Sequence, residues 1–219
     1  MNSIYVLSES DTMELLEMEE VIEAVENVYR EKTLGSGKLF PMVFHEFESQ
    51  VADMDIKSGT LDDMGVYGLK LVSWFGENRK KNLPMLSGVV MLFDRETGIP
   101  LALINAEHMT GMRTGAAGAI GARYLARRDS QVMLMVGAGH QATYQIRAMQ
   151  TVFPALKKVM VFDPVNMDNA SVFVDNFGYK KENTQYIAVE NIEAAPGEAD
   201  IIVTATPSRK PMIMKEWVK

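Results

Sequence analysis

The sequence predicts an α/β chain in two parts: an α+β part over residues 1–129 and a parallel-sheet part over 130–219. Two observations predict it. Between about 39 and 105 the chain is a series of short β-like runs joined by polar turns, the texture of a largely antiparallel sheet with hairpins. From 131 onward strand-like and helix-like segments alternate, which predicts parallel strands with right-handed crossovers.

Residues 11–33 place Leu15, Leu16, Val21, Ile22, Val25 and Val28 close to helical spacing. This predicts one amphipathic helix, or a short one followed by a longer one, ending near Gly35. The runs LFPMVFHEF, ADMDIKSG, GVYGLKLVSWF, MLSGVVMLFD and IPLALINA follow as strands, several separated by GENRKKNLP and DRETGIP. Residues 107–127 read as a helix crowded with Gly, Ala and Thr. Each interior glycine costs a helix about 1 kcal/mol against alanine, so the crowding predicts close backbone packing against a ligand or another element. ARRDS marks the boundary near residue 129. Beyond it come the strand VMLMVG, the helix HQATYQIRAMQTV, the strand KVMVFD, the helix NMDNASVFVDNF and the strand ADIIVTAT.

Composition narrows the functions. A net charge of −7 argues against a nucleic-acid surface, which needs a concentrated basic face. Arg79, Lys80 and Lys81 form a run of three basic residues, read as a solvated loop. With no cysteine there is neither disulfide nor thiol nucleophile, and His45, His108 and His140 lack ligand spacing, so no metal site is expected. No run approaches the roughly 18–20 apolar residues of a membrane span. No signal peptide is visible in MNSIYVLSESD, so a soluble cytoplasmic protein is expected. The 17 methionines scatter over both parts and read as core filler.

The turn VGAGHQA joins the first strand of the second part to its first helix. Gly137, Gly139 and Ala142 satisfy the G-x-G-x-x-G/A pattern: a tight turn, close approach of backbone to a pyrophosphate, and close helix–strand packing. Free N–H groups at the helix start would hold the phosphates. The next strand ends in Asp163, suited to the adenosine ribose hydroxyls and hostile to a 2′-phosphate, so NAD is expected rather than NADP. The alternative is a structural corner of some other α/β sheet.

Two cations stand out. Lys70 sits in an apolar strand, where alternation groups it with Val66, Gly68, Val72 and Trp74. Burial lowers a lysine's pKa and would suit it to exchange a proton with a substrate; the other reading is an edge-strand lysine whose head reaches water. Arg113 lies among Gly111, Thr114, Gly115 and Ala117 with little side-chain cover. It suits bidentate pairing with a carboxylate or phosphate, or an ordinary salt bridge.

Taken together, GVYGLKLVSWFGEN, LFDRETGIPLALINA, MTGMRTGAAGAIGARYLA and VGAGHQA resemble the ornithine cyclodeaminase/mu-crystallin family in order and over nearly the whole chain. The resemblance implies a dimerising, sheet-containing substrate domain joined to a Rossmann domain that binds NAD, in a homodimer acting on a small amino acid. It places the catalytic lysine on Lys70 and the helix arginine on Arg113. The cofactor site falls on Gly137, Ala138, Gly139, His140, Gln141, Ala142 and Asp163, with Thr114 beside it. The implied reaction is that of a lyase: L-ornithine loses a hydride from Cα to give an imine, cyclises with loss of ammonia, and regains the hydride to give L-proline. The alternatives are an oxidoreductase, alanine dehydrogenase-like or a ketimine/imine reductase, and a non-catalytic mu-crystallin-like binder. Two departures bear on this. Pro41 is followed by Met42 where ornithine cyclodeaminases commonly carry an arginine that holds the substrate carboxylate. The family's further Rossmann strands and its aspartate in a G-A-D-like stretch have no counterpart before MKEWVK, so a fragment or an inactive product with open sheet edges is expected.

Overall fold

The computed structural model describes residues 3–219 and divides the chain into two compact units, Met1–Thr110 and Gly111–Lys219. The change of texture expected near residue 129 lies at the far end of one long helix, and the division falls near its start.

The first unit opens with β1 (Tyr5–Leu7), α1 (Glu9–Leu15) and α2 (Met18–Leu34). The two-helix form of the expectation is the one observed. Ser8 caps α1 in a reciprocal box with Asp11, and α2 ends at Gly35 with φ +93°, a left-handed cap that suits glycine. There follow β2 (Gly37–Leu39), β3 (Val43–Glu48), β4 (Ala52–Leu61), β5 (Val66–Phe75), β6 (Leu86–Asp94) and β7 (Pro100–Asn105). They form one seven-stranded sheet ordered β1-β7-β6-β5-β4-β2, with β3 also pairing β4. All neighbours are antiparallel except β1 on β7. The parallel strand β1 had no sequence signal, because three residues without alternation are too few to show a period. GENRKKNLP folds as a 3-10 turn over Gly76–Lys81, with Arg79, Lys80 and Lys81 exposed as expected.

The helix α3 (Glu107–Leu125) carries the chain into the second unit, which continues with β8 (Val132–Val136), α4 (His140–Val152), β9 (Lys158–Phe162), α5 (Met167–Asn176), β10 (Gln185–Ala188), α6 (Ala195–Glu198) and β11 (Ile201–Thr204). The four strands are parallel, in the order β10-β9-β8-β11. The strand β10 and the one-turn helix α6 are short and were not anticipated. In β8, Met133, Leu134, Met135 and Val136 are all fully buried, the mark of a central strand covered on both faces. Leu134, Val136 and Met160 pack with Ala195 and Ala199, flanked by Ile187, Ile202, Met212 and Ile213. Each such side chain contributes about 1.5–3 kcal/mol on burial. Several methionines do serve as core, including Met112, Met133, Met135, Met149 and Met160, while Met42 and Met64 are exposed.

Asp200 pins the start of this sheet. Its Oδ2 accepts the N–H groups of Gln131 (2.9 Å) and Val132 (3.0 Å), and Oδ1 pairs with Arg127 and Lys219. The Gln131 N–H bond is the main reason its carboxyl lies below the ordinary value.

The glycines of α3 explain themselves against α4. A Cβ on Gly111 would enter the Tyr144 ring, one on Gly115 the Tyr144 backbone carbonyl, and one on Gly118 the Gln145 side chain. Of the two partners expected for this stripe, the structure supplies another element of the chain. Gly121, by contrast, faces open space. Gly115→Ala should therefore cost about 1–3 kcal/mol by overpacking, whereas Gly121→Ala should stabilise by up to about 1 kcal/mol through helix propensity. Urea unfolding of both variants checks this, and equal effects at the two positions would contradict the packing account.

Candidate cofactor and substrate site

The glycine turn leaves the C-terminal end of β8, flanked by β9 on one side and β11 on the other. The connections run to opposite sides from here, so the turn lies at the topological switch point, where open parallel sheets bind ligands. Gly137 has φ +104°, donates its N–H to the Phe162 carbonyl at 2.7 Å, and lies so close to the Ala205 carbonyl that a Cβ would overlap it. Gly139 is exposed, and the place a Cβ would take is open. It is the N-cap of α4, and no side chain caps that helix. Ala142 is fully buried. The three small residues thus meet the three needs of a dinucleotide turn: a strained bend, an open approach to uncapped N–H groups, and tight packing behind.

Asp163 closes the turn. Its Oδ2 accepts the Ala138 N–H at 3.0 Å; its Oδ1 accepts Val165 N–H (3.0 Å), Asn169 Nδ2 (3.1 Å) and Asn166 N–H (3.3 Å). Partial burial opposes ionisation, but these donors outweigh it and hold the carboxyl below its ordinary value. The acid is therefore charged and already oriented at neutral pH. Asn166, the N-cap of α5, and Asn169 were missed in the sequence; the N-cap position of Asn166 was a usable signal.

The remaining expected residues of the second unit divide. Gln141 donates its Nε2 to the Gly111 carbonyl at 3.2 Å, so its side chain ties α4 to α3. Gln145 does the same to the Thr114 carbonyl at 3.1 Å. His140 is exposed, its ring tilted on Tyr144 at 5.0 Å. Arg113 is exposed and makes no ion pair among the described residues.

In the first unit Lys70 lies on β5, hydrogen-bonded to β4 on one side and β6 on the other, opposite Lys57 and Val90. The edge-strand reading is thereby overturned: β5 is an inner strand. The Lys70 Nζ lies 3.4 Å from the Thr110 hydroxyl, and the contact is partly buried. Thr110, forty residues away in the chain, had no sequence signal. Among the described residues no group of His, Asp and Glu is placed to hold a metal, and no helix is long and apolar enough to cross a membrane.

A family model for the ornithine cyclodeaminase/mu-crystallin family matches residues 3–219. The chain belongs to this family. It is similar to an alanine dehydrogenase of Archaeoglobus fulgidus, 37% identical over 98% of the chain and 63% of that relative. Among solved structures it is similar to the Δ1-pyrroline-2-carboxylate reductase of Thermococcus litoralis in complex with NADH and L-proline. That likeness has a TM-score of 0.91 and 35% identity, and covers 98% of this chain and 66% of the other. An archaeal alanine dehydrogenase dimer with bound NAD gives 0.88 and 36%, over 98% and 64%. The chain thus spans under two thirds of the length of the alanine dehydrogenase it matches.

For this family member the lowered pKa of Asp163 makes a signed forecast. A carboxyl depressed on folding stabilises above its unfolded pKa, and the contribution is lost as pH falls through the folded value. The stability gap between the parent chain and Asp163→Asn should therefore be full at neutral pH and close on acidification. A gap that does not change with pH would mean that the charge of Asp163 contributes nothing to folding.

Proposed function

We propose that the chain belongs to an NAD-dependent oxidoreductase acting on a small α-amino or α-imino acid, as a dehydrogenase or imine reductase. The observation that carries the reading is the Ala138 N–H to Asp163 bond across the switch point, beside the open Gly139 and the uncapped start of α4. Pyrophosphate on that helix start and ribose hydroxyls on Asp163 fit this geometry. With the Asn166 backbone N–H and the Asn169 side-chain amide as its neighbours and Pro164 and Val165 following, Asp163 offers nothing basic to a 2′-phosphate, which favours NAD.

When bound, the nicotinamide supplies the hydride chemistry. The protein's share is binding and proton handling. Arg113 presents an exposed guanidinium suited to a carboxylate. Lys70, its ammonium beside the Thr110 hydroxyl, is suited to hold or move a proton at the substrate. The names of the relatives, a dehydrogenase and a reductase, support this reading better than ornithine cyclodeamination. Assembly as a homodimer belongs to the proposal; it draws on the dimeric alanine dehydrogenase and on β3, whose six residues are all exposed and include Val43, Phe44 and Phe47.

Calorimetric titration with NAD⁺ and NADP⁺ tests the reading: saturable binding that prefers NAD⁺ is expected, and indifference to both would end it. Lys70→Ala should lower turnover by roughly 10²–10⁴-fold, the usual worth of a positioned proton-transfer group, and leave NAD⁺ affinity unchanged. Undiminished turnover would remove Lys70 from the chemistry.

A further inference from the structure

The glycine turn carries one side chain whose duty the fold leaves open. His140 is the first residue of α4, next to the open Gly139. Its ring is exposed and rests on Tyr144 one turn further on, with centroids 5.0 Å apart. Tyr144 is itself buried, and so close to Gly111 that a Cβ there would enter its ring, so this backing is fixed. Neither ring nitrogen of His140 has a hydrogen bond or an ion pair among the described residues.

The start of α4 has the field of an anion site and supplies no anion of its own. Its first turn holds no acidic residue and no side chain caps it, although helix ends of this kind favour negative charge. Helical side chains lean toward the N-terminus, so His140 leans toward the place that a dinucleotide's pyrophosphate takes in such a turn. Imidazole is the side chain whose charge changes between about pH 5 and 8. The charged residues on the neighbouring elements are of other kinds. Asp163, at the end of β9, is held below the ordinary carboxylate value. Arg113 on α3, Arg147 further along α4, and Arg209 and Lys210 beyond β11 are of types that ordinarily keep their charge over that interval. Whatever these groups contribute at His140 is present with or without a cofactor, so the charge that binding adds is the pyrophosphate's.

We infer that His140 links NAD binding to a proton: its imidazole takes one up as the pyrophosphate docks on the start of α4, and the imidazolium then pairs with the phosphate oxygens. The sign follows from reciprocity. A complex that holds the proton more firmly than the free chain must also form more readily as pH falls. The inference rests on the cofactor reading above, and adds to it a residue and a pH dependence. A phosphate-free ligand such as adenosine brings no charge to the imidazole and should show no such dependence.

Calorimetric titration of the full chain tests this at about pH 5.5 and about pH 8.5, on either side of the imidazole range. The probes are NAD⁺, ADP-ribose, which keeps the pyrophosphate without the nicotinamide, and adenosine. NAD⁺ and ADP-ribose should bind roughly three- to tenfold more tightly at the lower pH, the usual worth of one charge at a helix start, and adenosine equally at both. His140→Gln should bind ADP-ribose within about twofold of the parent at the higher pH and gain nothing at the lower. His140→Lys should bind at both as the parent does at the lower. Titrating the parent at about pH 7 in buffers of different ionisation enthalpy should show proton uptake that His140→Gln lacks. A parent affinity that does not change with pH, a gain that survives in His140→Gln or is matched by adenosine, or equal losses in His140→Gln at both pH values would each overturn the inference and leave the cofactor reading standing. Failure of the parent to bind NAD⁺ at either pH would instead end the cofactor reading, and this inference with it.

Discussion

The second unit depends on the contact between the backbone of α3 and the side of α4. Without a Cβ at 111 and 115, α3 reaches the ring and the carbonyl of Tyr144, and Gln141 and Gln145 then close hydrogen bonds onto the Gly111 and Thr114 carbonyls. Those contacts fix where α4 begins, and α4 begins at the glycine turn. The cost of glycine in a helix, about 1 kcal/mol per residue, is thus offset by packing that no larger residue allows. The same helix presents Arg113 and Thr114 within this unit, so one stripe of small residues positions both a candidate phosphate site and a candidate anion-binding guanidinium.

Charge is used sparingly, at the places where chain segments meet. Asp163 joins the glycine turn to the end of β9 and the start of α5; Asp200 joins the start of β8 to Arg127 and Lys219. Both accept several backbone N–H groups, which is why both lie below the ordinary carboxylate value. Exposed pairs such as Lys80 with Glu77 contribute little by comparison, since solvent screens them.

The first unit solves a different problem. A single lysine in an apolar strand is costly unless its head finds a partner, and burial in an inner strand denies it the solvent an edge would offer. The Thr110 hydroxyl is one partner of the Lys70 ammonium, and Lys57, paired with Asp55, lies opposite Lys70 across the strands. On the same face Val72 and Ile104 are buried.

Much of this was legible in the residues. Period and turn chemistry located five of the seven first-sheet strands, the N-terminal helical stretch ending at Gly35 (as one helix or two), the glycine-crowded helix, and the strand–turn–helix at Gly137, because each is a local pattern of four or more residues or a glycine with a fixed backbone duty. The short strands β1 and β10 carried no such pattern and owe their existence to neighbours. The identity of Asp163 as the acid at the end of the second strand could be read directly; that Asn166 and Asn169 orient it could not, except for the N-cap signal. Lys70 could be singled out by composition, but spacing left edge and interior equally open, and only the pairing of β5 on both sides decided between them. Cross-strand partners such as Lys57 with Lys70 and Thr110 with Lys70 were likewise fixed by register, because a strand's sequence specifies which face a side chain takes but not which strand it will lie against.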